Sequence, residues 1–157
     1  MINLQAPRPV LRFFLRLPIW LYRMHLGWLL GDRFLMLTHI GRKSGQPRQV
    51  VLEVVRHDKP THTYIIASGW GEQSDWLRNI QKTPAVIIHS GGQRSEAQAE
   101  RLNPAEAARE LHDYARRHPT AFRQLAGLMT GQAWHDDPAY FEQLAHALPI
   151  IALRPRP

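Results

Sequence analysis

From Arg33 to Leu102 the chain is a succession of β-rich runs broken by tight turn signals, and this pattern constrains the fold more than any other feature. RFLMLTH and RQVVLEVVRH flank the loop HIGRKSGQPR, residues 39–48, which Gly41, Gly45 and Pro47 mark as a turn. HDKPTH makes a second turn before TYIIAS. AVIIHS, the pair Gly91 and Gly92, and QRSEAQAERL read as a hairpin, the last run alternating as a half-exposed strand does. PIIALRP closes the chain as a further strand.

Helical signals lie between and after these runs. DWLRNIQK follows GWGEQS, with Ser74 or Asp75 able to cap it and Pro84 beyond its end. Asn103 and Pro104 start a helix that runs to about His118, and two more are expected near residues 122–129 and 138–147. Strands joined by hairpins, with helices inserted late, imply an α+β fold: a mostly antiparallel barrel of about six strands with C-terminal helices. At 157 residues the chain is one domain, 1–157, with a core of useful size.

The first 31 residues differ in character. RPVLRFFLRLPIWLYRMHLGWLLG is interrupted by Arg12, Arg16, Pro18 and Arg23, so no apolar stretch approaches the roughly 20 residues of a spanning helix. A small-residue cleavage site is missing too. Residues 1–31 therefore read as an amphipathic helical segment in front of a barrel over 32–157. Such a segment can pack on its own domain, the commoner outcome, or make peripheral membrane contact through residues 9–30.

Composition narrows the chemistry. Lys and Arg outnumber Asp and Glu by 20 to 13, and 17 of those cations are Arg, whose fork suits phosphate or carboxylate. An anionic ligand is expected. The chain has no cysteine, which excludes disulfides, thiolate metal sites and a cysteine nucleophile and fits a cytoplasmic setting. GRKSG lacks the spacing of a nucleotide P-loop, and the nine histidines show no ligand spacing, so no metal is expected. Neither Ser44 nor Ser68 sits in Gly-x-Ser-x-Gly. No nucleic-acid reader motif is present and the cations are dispersed, so no nucleic-acid partner is expected.

Two loops remain as a possible site. Arg42, Lys43 and Arg48 can neutralise a phosphate, Ser44 can donate to it, and the glycines admit backbone N–H groups. Taken alone, that cluster is more often a basic surface turn. The stretch ASGWGEQSDWLRN changes the balance, because it ends a strand, offers Gly69 and Gly71, and opens a helix whose first amides favour negative charge.

LTHIGRKSGQPRQVVLEV, then YIIASGWG, then DWLRNIQKTPAVIIHSGG, resembles the deazaflavin-dependent nitroreductase family over nearly the whole chain. The resemblance implies a split β-barrel related to flavin-binding oxidoreductases. It implies that Arg42, Lys43, Ser44 and Arg48 hold the phosphate and acidic tail of the deazaflavin coenzyme F-420. Ala67, Ser68, Gly69 and Trp70 would lie along the ring system, with Trp76 and Asn79 beside it. A tryptophan one turn into a helix is also a common core residue, and Asn79 could instead fasten a loop. Arg78 and Lys82 would extend the basic track toward a polyanionic tail.

The activity so implied is hydride transfer from reduced coenzyme to a small acceptor: a quinone, an enone or a nitroaromatic. Ser68, Tyr64 and His118 are the candidate catalytic donors or proton sources, His118 having the suitable titration range. Asp75 stands where many members carry proline, and the C-terminal tyrosines of some nitro-reducing members have no counterpart in RRHPTAFRQLAG. Flavin mononucleotide is the alternative cofactor and haem a lesser one. A barrel that binds lipid or fatty acid without catalysis is the alternative of a different class. The oligomeric state is not legible in the residues.

Overall fold

The structure is a computed structural model that describes residues 33–69, 71–130 and 135–157. The expected N-terminal segment, its candidate membrane contact at residues 9–30, and Trp70 lie outside the described residues.

All six expected strands are present: β1 Phe34–Ile40, β2 Pro47–Asp58, β3 Thr63–Ala67, β4 Ala85–Ser90, β5 Gln93–Arg101 and β6 Ile150–Pro155. Every neighbouring pair is antiparallel. The order β1-β2-β3-β6-β5-β4 closes into a barrel because β1 pairs with both β2 and β4, which leaves no unpaired edge. β6 enters from far along the chain and fills the place between β3 and β5.

Strand alternation produces two cores. Leu35, Leu37, Ile66, Val86, Ile88, Ala97, Ile151 and Leu153 meet inside the barrel. The opposite faces of β2, β3 and β6 present Val55, Ile65, Ile150 and Ala152 to a second core, shared with the helices. Ile150 to Leu153 form an unbroken apolar run because that part of β6 is buried on both faces, while Arg154 and Pro155 are exposed. In β2 Val54 faces the barrel core and Val55 the helical layer, as alternation requires, and the register slips between Val54 and Arg56, which puts Arg56 on the helical side as well, paired with Glu110.

Four helices complete the described fold: α1 Asp75–Lys82, α2 Pro104–Arg117, α3 Pro119–Thr130 and α4 Pro138–Ala147. The Asn103 side chain accepts from the Glu106 N–H at 2.9 Å and Asp137 from the Tyr140 N–H at 2.9 Å, each just before a proline in the first turn. Leu111 and Tyr114 of α2 pack with Phe122 of α3 and with Phe141 and Leu144 of α4 over the outer sheet face. Arg56 clasps Glu110 through two hydrogen bonds of 2.9 and 2.8 Å, and Tyr114 donates to Glu53 at 2.9 Å, which ties α2 to β2. The third helix begins at Pro119, earlier than residue 122, because α2 ends at Arg117 and proline suits a first turn. Among the described residues no helix is long and apolar enough to cross a membrane.

The remaining helix, α1, belongs to the barrel. Its buried Trp76, Leu77 and Ile80 join the barrel core, with its charged residues outside. It sits between the end of β3 and the start of β4, across one end of the barrel.

Candidate functional site

Chain direction brings the two suspected loops together. β1 runs toward the end covered by α1, β2 returns and β3 runs forward again, so the loops after β1 and β3 open at the same end.

The first loop is fastened from inside. Gly41 N–H donates to the Gln46 carbonyl at 2.9 Å, Gly45 N–H to the Gly41 carbonyl at 2.8 Å, and Gln46 N–H to Ser44 Oγ at 3.2 Å. Gly45 has φ +68°, in the left-handed region glycine favours, and a Cβ on buried Gly41 would stand 2.6 Å from Ser44 Oγ. Asn79 of α1 reaches across to accept from the Arg42 main-chain N–H at 3.0 Å and from Arg42 Nη1 at 2.9 Å. Arg42 Nη2 donates to Asp75 Oδ1 at 3.0 Å, and Lys82 Nζ donates to the Arg42 carbonyl at 2.9 Å. Every hydrogen bond just named leaves Lys43 and Ser44 N–H without a partner among the described residues, and the Ser44 hydroxyl proton is uncommitted. Lys43 and Arg48 are exposed, with no carboxylate partner among the described residues. Two uncommitted amides, a hydroxyl and the exposed cations Lys43 and Arg48, the latter at the start of β2, thus lie within six residues of one another, donors of the kind an anion requires.

Beneath the loop lies His39, only 4 % exposed. Its Nδ1 is 3.0 Å from Asn79 Nδ2. Burial, then the nearby Arg48 charge, lower its pKa to about 4 against a smaller opposing effect of Asp75, so at neutral pH the ring carries no charge.

The second loop is also closed on itself. Ser68 is fully buried, and its hydroxyl lies 2.7 Å from both the Gly71 carbonyl and Ser74 Oγ. Gly71 returns its N–H to the Ser68 carbonyl at 3.0 Å with φ +65°, which favours glycine. Glu72 joins the loop to the barrel wall through an ion pair with Arg101, and its carbonyl accepts from Arg78 Nε at 3.2 Å. At Gly69 nothing among the described residues, its chain neighbours aside, stands within 4 Å of an added Cβ.

Of the residues expected from the sequence, Arg42, Lys43, Ser44, Arg48 and Asn79 are gathered around the first loop, with Ala67, Ser68 and Gly69 at the second. Trp76 is buried in the barrel core, and Trp70 lies outside the described residues. Tyr64 sits toward the other end of β3 with its ring stacked on His57 at 4.0 Å. His118 is an exposed C-cap in the helical layer, its ring 5.2 Å from Tyr114, and no described contact joins it to either loop. His39 and Asp75 also join this hydrogen-bond network, and neither is among the site residues expected from the sequence. Strand parity marks His39, which follows Leu35 and Leu37 at two-residue steps.

A family model described as F420H(2)-dependent quinone reductase matches residues 15–130, well over half of the chain. No curated protein matches. Among solved structures, an F420-H2 dependent reductase, FDR-A, is similar with a TM-score of 0.54 at 16% identity, covering 79% of this chain and 96% of its own. A pyridoxamine 5'-phosphate oxidase-related, FMN binding protein from Nostoc punctiforme is similar with a TM-score of 0.53 at 14% identity, covering 96% of this chain and 83% of its own. At such identities these structures support the split-barrel fold alone, and it agrees with the closed six-strand barrel seen here.

Proposed function

The chain belongs to the F420H(2)-dependent quinone reductase family, and from that premise we propose that it reduces a quinone with the reduced deazaflavin coenzyme F-420. Enones and nitroaromatics are further acceptors of the same electrophilic kind, and the setting is the cytoplasm. One observation supports this reading: among the described residues Lys43, Ser44 and Arg48 offer uncommitted donors at the barrel end where Gly69 also emerges.

The residues present fit the coenzyme. Its phosphate and acidic tail need cations without internal carboxylate partners, which Lys43 and Arg48 are among the described residues. Arg42 adds to the field, while Arg78 and Lys82 extend it along α1. Ala67, Ser68 and Gly69 give the ring system a strand end to lie on, Trp70 belongs beside them, and Trp76 acts from the core by holding α1 in place.

When bound, the reduced coenzyme supplies a hydride, which a quinone takes up with one proton to become the hydroquinone. The chain's own part is to bind, orient and exclude water. Ser68 holds the second loop closed, since its hydroxyl faces the Gly71 carbonyl and Ser74. Tyr64 and His118 stand apart from both loops, so the reading takes the proton from solvent, with no essential acid among the described residues.

The likeness to an FMN-binding protein supports a second reading in which the same turn holds the single phosphate of flavin mononucleotide. Haem and non-catalytic lipid binding gain no support from the site. The test is an anaerobic reaction of reduced coenzyme with a soluble quinone, followed by the return of oxidised-coenzyme absorbance. Turnover dependent on protein supports the reading; none with any quinone, enone or nitroaromatic, beside turnover with reduced flavin, replaces it by the second.

A further inference from the structure

Asn79 has its amide orientation dictated by its neighbours. Its Oδ1 faces two donors, Arg42 N–H and Nη1, so a rotation that exchanged oxygen and nitrogen would set an NH2 group against both. The Nδ2 group must then point at His39 Nδ1, 3.0 Å away, and it can only donate. His39 Nδ1 is therefore an acceptor, and the ring proton resides on Nε2.

We propose that His39 is a positioning residue of the anion turn, acting through Asn79 to aim Arg42 and the loop 41–46. As the last inward-facing residue of β1 it is anchored by barrel pairing, opposite Arg48 on β2. The relay runs in one direction from that anchor: Nδ1 orients the Asn79 amide, the amide oxygen gathers both ends of Arg42, and Arg42 carries the turn that presents Lys43 and Ser44. A protonated His39 would put a donor against Asn79 Nδ2 and a positive charge among Arg42, Arg48 and Lys82, with Asp75 the only carboxylate among the described residues of this network to offset them. A neutral imidazole fits where a cation or an apolar side chain does not.

The inference rests on the anion-binding reading of this loop, and two readouts separate the fates of the two ideas. The first needs no coenzyme: long-range proton–nitrogen NMR of the full chain at pH 7 should show His39 unprotonated at Nδ1 and protonated at Nε2. The second is affinity for oxidised F-420, compared among wild type, His39→Leu and His39→Gln. The leucine variant should bind about tenfold more weakly, the loss expected when one buried partner of a polar network is removed. Glutamine, whose Oε1 can accept from Asn79, should recover most of that affinity. An Nδ1-protonated or cationic ring, or leucine and wild type binding alike, overturns the proposal. Should His39→Leu fail to fold, the tautomer and the glutamine variant decide. A wild type that binds no coenzyme defeats the functional reading instead, and the tautomer then still tests the relay.

Discussion

Asn79 Oδ1 accepts from both the main-chain N–H and the guanidinium of Arg42, at 3.0 and 2.9 Å, so one buried amide fixes the backbone and the side chain of the same loop residue. Helix α1 thereby holds the β1–β2 turn, although the two are 37 residues apart in the chain.

Replacing Asn79 by Leu should cost about 3 kcal/mol of stability, because three hydrogen bonds go and Arg42 N–H and His39 Nδ1 lose their partner. Urea unfolding measures it. A loss below about 0.5 kcal/mol would mean that water replaces the amide and the turn is not held by α1.

Asn79→Asp separates the two sides of the relay. A carboxylate keeps both bonds to Arg42 but sets an acceptor and a negative charge against His39 Nδ1. The His39 pKa should then climb from about 4 to above its ordinary value of 6.5. An NMR titration in which it stays near 4 would contradict the hydrogen-bond direction assigned here.

Acid stability follows from the same ring. Above pH 6.5 His39 is neutral in both states; between 6.5 and about 4 the unfolded chain takes up a proton that the folded chain refuses. Stability should therefore fall as pH falls through that window, by roughly 3 kcal/mol from this group. His89, whose pKa burial and then Arg94 also lower, acts in the same direction. His39→Gln should flatten the slope, and an unchanged slope in thermal or urea melts from pH 7 to 4.5 would show that another group is responsible.

Ser68→Ala should act on folding more than on chemistry. The hydroxyl is buried against the Gly71 carbonyl and Ser74, so its removal should cost about 1–3 kcal/mol while turnover falls less than about tenfold. A variant of unchanged stability that has lost all turnover would make Ser68 a proton donor after all.

Much of the barrel was legible because it depends on local signals. The turn residues of 41–47 and 91–92, the alternation in QRSEAQAERL and the cap at Asn103 each act within a few residues, and each element appears where expected. The loops at one barrel end were legible as well, since basic residues and glycines after two strands carry their own chemistry. What joins them was not. Arg42 with Asp75, Glu72 with Arg101 and Arg56 with Glu110 are separated by 33, 29 and 54 residues, and no short-range pattern announces such pairs. His39 lay between: its two-residue step from Leu37 placed it inside the barrel, but only Asn79 across the fold gives it a role.

The central claim is that the turn after β1 binds the anionic part of a deazaflavin coenzyme. It is tested most directly by fluorescence titration of the purified chain with oxidised F-420 and, separately, flavin mononucleotide, repeated with Lys43 and Arg48 both changed to alanine. Saturable binding of F-420, stronger than that of flavin mononucleotide, weakened by salt and reduced about tenfold or more in the double variant, is the predicted result. F-420 binding that ignores both substitutions, or saturable binding of flavin mononucleotide alone, would contradict it.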